Sequence, residues 1–187
     1  MNSQKKTMSL LLVALFTALV AVGGFIRIPT PVVPITLQFW FTVMAGLLLG
    51  PKLGSLSVLI YVMLGLIGVP IFTQGGGPGY IFQPTFGYLL GFVAGTWVVG
   101  KLAWKKENPD FKRLLLACLL GAVVVYTAGT IYCFIISKYV LGAEIIAIPF
   151  LTSCVFLPLP SDLVLCVFSA FLGKRLIPIV KRYQVQS

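Results

Sequence analysis

Apolar runs of about twenty residues recur along this chain, and they restrict the fold before any motif is considered. "LLLVALFTALVAVGGF", residues 10–25, carries no charge at all. A helix rising about 1.5 Å per residue needs about twenty residues to cross roughly 30 Å of hydrocarbon. Of the 187 residues, 59% are hydrophobic and only 10% are charged, too little polar surface for a soluble domain of this size. The sequence therefore predicts an all-α, polytopic integral membrane protein forming a single domain over residues 1–187. Six transmembrane helices are expected near residues 8–26, 35–50, 55–69, 84–100, 114–138 and 150–173, with no linker and no internal repeat.

The net charge of +10 would suit nucleic acid, but its placement argues otherwise. With the N terminus inside, one set of loops holds Lys5, Lys6, Lys52, Lys101, Lys105, Lys106, Lys112, Arg113, Lys174, Arg175, Lys181 and Arg182. Only Arg27 and Lys138 fall on the other side. That asymmetry predicts cytoplasmic N and C termini, with the basic charge acting as a topogenic signal near anionic lipid. Nucleic acid is not an expected partner. Lys5 and Lys6 followed by an apolar stretch and Ala21-Val22-Gly23 loosely resemble a signal peptide. The further spans favour a retained first helix.

Cys118, Cys133, Cys154 and Cys166 lie in apolar segments without Cys-x-x-Cys spacing, and there is no histidine. No metal site and no redox pair is predicted; the cysteines read as small core residues. Nor is there a G-x-x-x-x-G-K-[ST] phosphate cradle, a carboxylate dyad or a histidine-based triad. The chain is expected to hold a ligand without being an enzyme, and uphill transport would need power from another subunit.

Two helix faces are lined with small residues. Ala14, Ala18 and Ala21 share one face of the first span, and Gly87, Gly91 and Gly95 form a stripe on the fourth. Small residues at this spacing let helices approach closely in lipid. The glycine stripe is expected to pack within the bundle; for the alanine face a partner helix competes with that reading. Prolines 29, 31, 34, 70, 78, 84, 149, 158 and 160 gather at the predicted outer ends. Irregular backbone at membrane depth is tolerated only when buried or lining a cavity, so the asymmetry predicts an outward-facing pocket.

Polar groups in the apolar segments are the candidate ligand-binding residues. Asp162 is the one acidic residue in or beside a span; it either caps a helix restarting after Pro158 and Pro160 or accepts hydrogen bonds from a ligand. Gln38 needs a polar partner or an aqueous pocket, whereas Trp40 beside it suits a pocket wall or an interfacial anchor. "FTQGGGPGYIFQPTFGYLLGF", residues 72–92, places Gly76, Gly77, Tyr80, Gln83 and Tyr88 in a permissive loop between two spans. Such a loop is either an exposed turn or a lid whose N–H groups and rings order over a small molecule.

"VPITLQF" at 33–39, "GLIGVPIF" at 65–72, "GGGPGY" at 75–80, "PTFGYLLGF" at 84–92 and "PLPSDL" at 158–163 together resemble the BioY family. These are the biotin-specific substrate-binding S components of energy-coupling-factor (ECF) type transporters, and the likeness runs from about residue 10 to residue 175. It implies a six-helix bundle capturing biotin from outside, with no cofactor of its own. It also implies a transmembrane coupling subunit, docked on Ala14 and Ala18, and two cytoplasmic ATPase subunits. Two positions depart from the family pattern: Phe86 stands where a glycine is usual, and Leu165 where a lysine is. Asp162 would accept the ureido N–H groups, with Trp40, Tyr80 and Tyr88 against the apolar parts and loop N–H groups or Arg27 near the carboxylate. Leaving the resemblance aside, the residues also suit an S component for thiamine or riboflavin, or a membrane assembly partner without a ligand.

Overall fold

The structure is a computed structural model that describes residues 3–30 and 32–186. Pro31, both extreme ends and the side chains of Lys5 and Arg182 lie outside the described residues. Five helical segments among these are long and apolar enough to cross a membrane: Lys6–Phe25, Gln38–Ile67, Phe86–Ala103, Phe111–Val140 and Ala147–Lys181. They belong to α1 (Ser3–Phe25), α2 (Gln38–Ile67), α3 (Phe86–Ala103), α4 (Phe111–Ile135), the short α5 (Ala147–Leu151) and α6 (Leu159–Gln186).

The 30-residue α2 is not a straight rod. Gly50 adopts φ 79°, ψ −175°, a conformation essentially reserved for glycine, and Pro51 follows without an N–H to continue the ladder. The chain reverses there. Gln38 Nε2 donates to Tyr61 Oη at 2.5 Å, although a straight helix would hold residues 23 positions apart by roughly 35 Å. Gly54 packs so tightly on Ala45 that a Cβ would sit 2.7 Å from its carbonyl oxygen. The expected spans at 35–50 and 55–69 are thus antiparallel arms of one hairpin, joined by a glycine instead of the anticipated loop. The second arm ends in a Schellman motif, with Gly68 at φ 118° and bonds from Gly68 N to Gly65 O and from Val69 N to Leu64 O.

The remaining helices pack on this hairpin. Helix α1 lies against α2, α2 against α3 and α3 against α4, while α6 closes the bundle by touching both α2 and α4. The α3–α4 contact uses the glycine stripe: a Cβ on Gly91 would stand 2.9 Å from the Val125 backbone. Internal hydroxyls bond across helices, as membrane interiors require: Thr17 Oγ1 to Ser57 O at 2.9 Å and Thr96 Oγ1 to Thr42 O at 3.1 Å.

The two ends of the bundle differ. At one, Trp104 Nε1 bonds Leu47 O, Arg113 Nε bonds Leu102 O and Lys181 Nζ bonds Lys106 O, joining the cationic turns. At the other lie the irregular segments: residues 26–37, 68–85 and 136–158. Residues 26–37 contain a small departure from an all-helical chain, an antiparallel ribbon of β1 (Arg27–Ile28) and β2 (Ile35–Thr36). Residues 136–158 contain two wide turns, Ile136–Val140 and Thr152–Phe156, closed by Leu141 N to Ile136 O and Leu157 N to Thr152 O. These turns extend the fifth expected span beyond residue 138 and delay the start of α6 to Leu159, well past residue 150.

Candidate functional site

Five irregular or helical segments converge on a recess at the loop-rich end. The β1–β2 ribbon pairs Arg27 with Thr36 and Ile28 with Ile35, which delivers Val33, Ile35, Thr36, Gln38 and Phe39 to one wall. Gln38 is 2% exposed. Its amide nitrogen is held by Tyr61, whose own hydroxyl donates to Ile71 O at 3.2 Å. Helix α1 leaves room for this amide through Gly24, where a Cβ would lie 2.9 Å from Gln38 Nε2.

The glycine-rich loop supplies a second wall, but not through its glycines. Phe72, 2% exposed, sits between Tyr61 and Tyr80 with ring centroids 5.4 and 4.5 Å away, in a socket opened by Gly65. Gly75 and Gly77 take φ of 110° and 105°, and Gly77 N donates to Gly65 O at 2.7 Å. The glycines thus fold the loop down onto the end of α2. Tyr80, carried by the 3₁₀ turn Pro78–Phe82, is buried, its hydroxyl 3.0 Å from Thr73 Oγ1 and 3.3 Å from Thr85 Oγ1. Tyr132 Oη pins the turn by donating to Ile81 O at 2.6 Å.

Helices α3, α4 and α6 form the floor. Asp162 lies in the first turn of α6 and is 8% exposed. Its Oδ2 accepts from Tyr126 Oη at 2.6 Å; Oδ1 has no donor among the described residues. A position near a helix N terminus suits a carboxylate. Tyr126 meets Tyr88 edge-on at 6.2 Å, and Tyr88 Oη donates to Cys154 O at 2.7 Å. Leu89, Phe92 and Val125 complete the apolar lining.

The recess measures about 540 Å³ when the space open to solvent at its mouth is included. About 50 Å³ of it lies clear of the walls, room for a few waters, so a larger guest must push side chains outward. Its chemistry is a carboxylate oxygen, an amide oxygen and several hydroxyls set in an aromatic and aliphatic wall, suited to a small molecule with N–H donors on an apolar body. No group of three or more His, Cys, Asp or Glu that could hold a metal occurs among the described residues.

Of the candidates read from sequence, Asp162, Gln38, Tyr80 and Tyr88 share this recess. The others lie outside its lining. Trp40 turns to Phe41 and Phe168, with centroids at 5.0 and 5.7 Å, because the alternation around α2 points it away from Gln38. Gly76 backs onto the Val69 carbonyl, Gly77 bonds Gly65, and Gln83 is exposed. Arg27 is exposed and lines an adjoining groove with Ser161, Val164 and Leu165, continuous with the recess through Ile35 and Thr36. Sequence reading missed Tyr126, whose signal was a phenol midway along a span, where a hydroxyl needs a partner.

The family model described as "BioY family" matches residues 1–182. The chain belongs to the BioY family. Among BioY proteins, the probable biotin transporter BioY of Lysinibacillus sphaericus is 40% identical over 181 residues, covering 94% of this chain and 90% of that protein. The biotin transporter BioY of Rhizobium etli is 34% identical, covering 90% and 92%. A crystal structure of the S component for biotin from an ECF-type ABC transporter matches with a TM-score of 0.78 and 30% identity over 94% of both chains.

Proposed function

We propose that this chain is the substrate-capturing S component of an ECF-type uptake transporter and that its substrate is biotin. The observation that carries the reading is the recess holding Asp162, Tyr126, Gln38, Tyr80 and Tyr88 at the loop-rich end, in a BioY-family chain. Biotin offers two ureido N–H donors, one of them for the open carboxylate oxygen of Asp162, and a ureido carbonyl for a nearby hydroxyl or backbone N–H. Its sulfur ring and aliphatic chain suit Tyr80, Tyr88 and Phe92. The carboxylate tail then runs towards the mouth, where Arg27 stands beside the adjoining groove in a site that has Leu165 in place of a lysine.

In this reading the α2 hairpin contributes two crossings, giving six in all. The basic turns lie in the cytoplasm with both termini, by the positive-inside rule, and the recess opens to the exterior of a prokaryotic plasma membrane. The work of moving biotin inward falls to partner chains, a transmembrane coupling subunit and two ATPases. Ala14 and Ala18 support that assembly: both are exposed on α1 and line an apolar groove with Ile60, Leu64 and Val69.

Biotin should stabilise the purified chain by RT ln(1 + [L]/Kd) and so raise its Tm, whereas thiamine and riboflavin should leave it unchanged. A shift with either of those vitamins instead assigns the recess to that ligand; no shift with any favours a membrane assembly partner. Asp162→Asn should weaken biotin by about 1.5–3 kcal/mol, the range for a charge-assisted hydrogen bond. Unchanged affinity by titration calorimetry removes Asp162 from the site.

A further inference from the structure

All four cysteines are buried with free thiols, and two of them meet from separate elements. Cys133 sits near the end of α4, and Cys154 in the wide turn Thr152–Phe156 that leads into α6. Their sulfurs are 3.6 Å apart although the residues are 21 positions apart in sequence, which is why no motif signals the pair. The segment between them, 134–153, is a protruding hairpin whose tip, residues 141–146, is mostly exposed. Few other ties join its two sides; one is the edge contact of Phe134 with Phe150 at 6.1 Å.

We propose that Cys133 and Cys154 are a modification site, a dithiol that closes to a disulfide and fixes this end of the bundle. A disulfide bond is about 2.05 Å long, so closure needs a shift of roughly 1.5 Å from the present contact. The wide turn holding Cys154 is the element to supply it, since i→i+5 turns interrupt regular helix where segments adjust. In the reaction each thiol gives up one proton and one electron and the S–S bond forms. Both electrons and both protons pass to a hydrogen acceptor such as a diazenedicarboxamide, whose N=N bond becomes HN–NH. The bond would close a ring of about twenty residues and restrict the unfolded chain accordingly. It would also fix the segment that holds Tyr88, because Cys154 O is the acceptor for the Tyr88 hydroxyl at the recess. None of this rests on the identity of the ligand.

The test uses the full chain in detergent, treated with a membrane-permeant diazenedicarboxamide, then denatured, thiol-blocked and mapped by mass spectrometry without reduction. The expected result is one linkage, Cys133 to Cys154, two free thiols left, and a rise in Tm on the order of 5 °C that a phosphine reverses. Cys133→Ser and Cys154→Ser should each abolish the linkage and the rise, while a Cys118→Ser, Cys166→Ser double variant keeps both. Four free thiols after treatment, or a linkage through Cys118 or Cys166, overturns the assignment. A Cys133–Cys154 bond that leaves Tm unchanged overturns the claim that it fixes this end.

Discussion

The small-residue stripes of α3 and α1 share a helical period and have opposite surroundings. On α3, Gly87, Gly91 and Gly95 are buried and press on α4 at backbone distance; a Cβ on Gly95 would lie 2.7 Å from Val125 Cγ2 and 3.0 Å from Gly121 O. On α1, Ala14 and Ala18 are exposed and open onto an apolar groove shared with the second arm of α2. Lipid offers no hydrophobic drive for helix pairing, so a stripe gains only from the fit of the surface that meets it. The chain supplies α3 with such a surface through a short turn, residues 104–110, that returns α4 antiparallel. Among the described residues nothing of the kind meets the outer flank of α1, which packs chiefly on α2. Glycine on one stripe and alanine on the other also sets how closely each can be approached, backbone to backbone only on α3.

The most damaging way to break this contrast is Gly91→Leu. Its Cβ alone would stand 2.9 Å from both Val125 Cα and Val125 O, and backbone cannot yield as a side-chain tip can. Overpacking commonly costs about 1–3 kcal/mol and more where nothing can move. The variant should lose most of its folded yield or its cooperative melting, followed by size-exclusion fluorescence and thermal denaturation. A leucine tolerated at full Tm would mean that α3 and α4 are not held in backbone contact.

The same close approach has a second consequence, smaller and specific to the recess. Tyr126, one position after Val125, is carried towards Tyr88 and Asp162, where its hydroxyl occupies Oδ2. That leaves Oδ1 without a donor among the described residues, the oxygen proposed to meet the ligand, and restrains the plane of the carboxylate. Tyr126→Phe keeps the ring and removes this restraint, so biotin binding should weaken by about 1 kcal/mol, roughly fivefold in Kd, with the unliganded Tm little altered. Calorimetric titration of both proteins measures it. An unchanged Kd would show that Asp162 is oriented without the phenol, or does not meet the ligand.

The helical, membrane-length character of the fold could be read in advance because apolar length has few solutions in hydrocarbon, and proline placement marked the irregular end. The glycine stripe of α3 was assigned to internal packing for the same reason, and it does meet α4. Contacts between distant segments were less legible. "PKLG" at 51–54 reads as a loop between two spans, yet one glycine at φ 79° just before it suffices to reverse the helix. In the candidate site, Asp162 and Gln38 stood out as polar groups without local partners, and both line the recess. The glycines at 76 and 77 were attractive as ligand-facing backbone, but their freedom serves the turn onto Gly65. Trp40 and Tyr126 show the limit: each is an aromatic in a span, and only the rotation of its helix decides which one faces inward.

The smallest effect is expected on the open stripe, and there the contrast between isolated and assembled protein carries the weight. Ala18 is exposed, so Ala18→Leu adds volume to a face left open by the described residues. For the isolated chain the change should stay within about 0.5 kcal/mol, as for surface substitutions remote from special features, with biotin affinity intact because this groove shares no lining residue with the recess. In a membrane holding the coupling subunit and its ATPases, the added isobutyl group would part the helices, since close approach over small side chains is what this face offers. Co-purification with the coupling subunit and biotin uptake should then fall together while capture persists. A variant whose isolated Tm drops places Ala18 in the chain's own packing, and one that assembles and transports normally moves the docking face elsewhere. The first result would give the α1 stripe an internal partner like that of α3; the second would leave it without a partner helix at all.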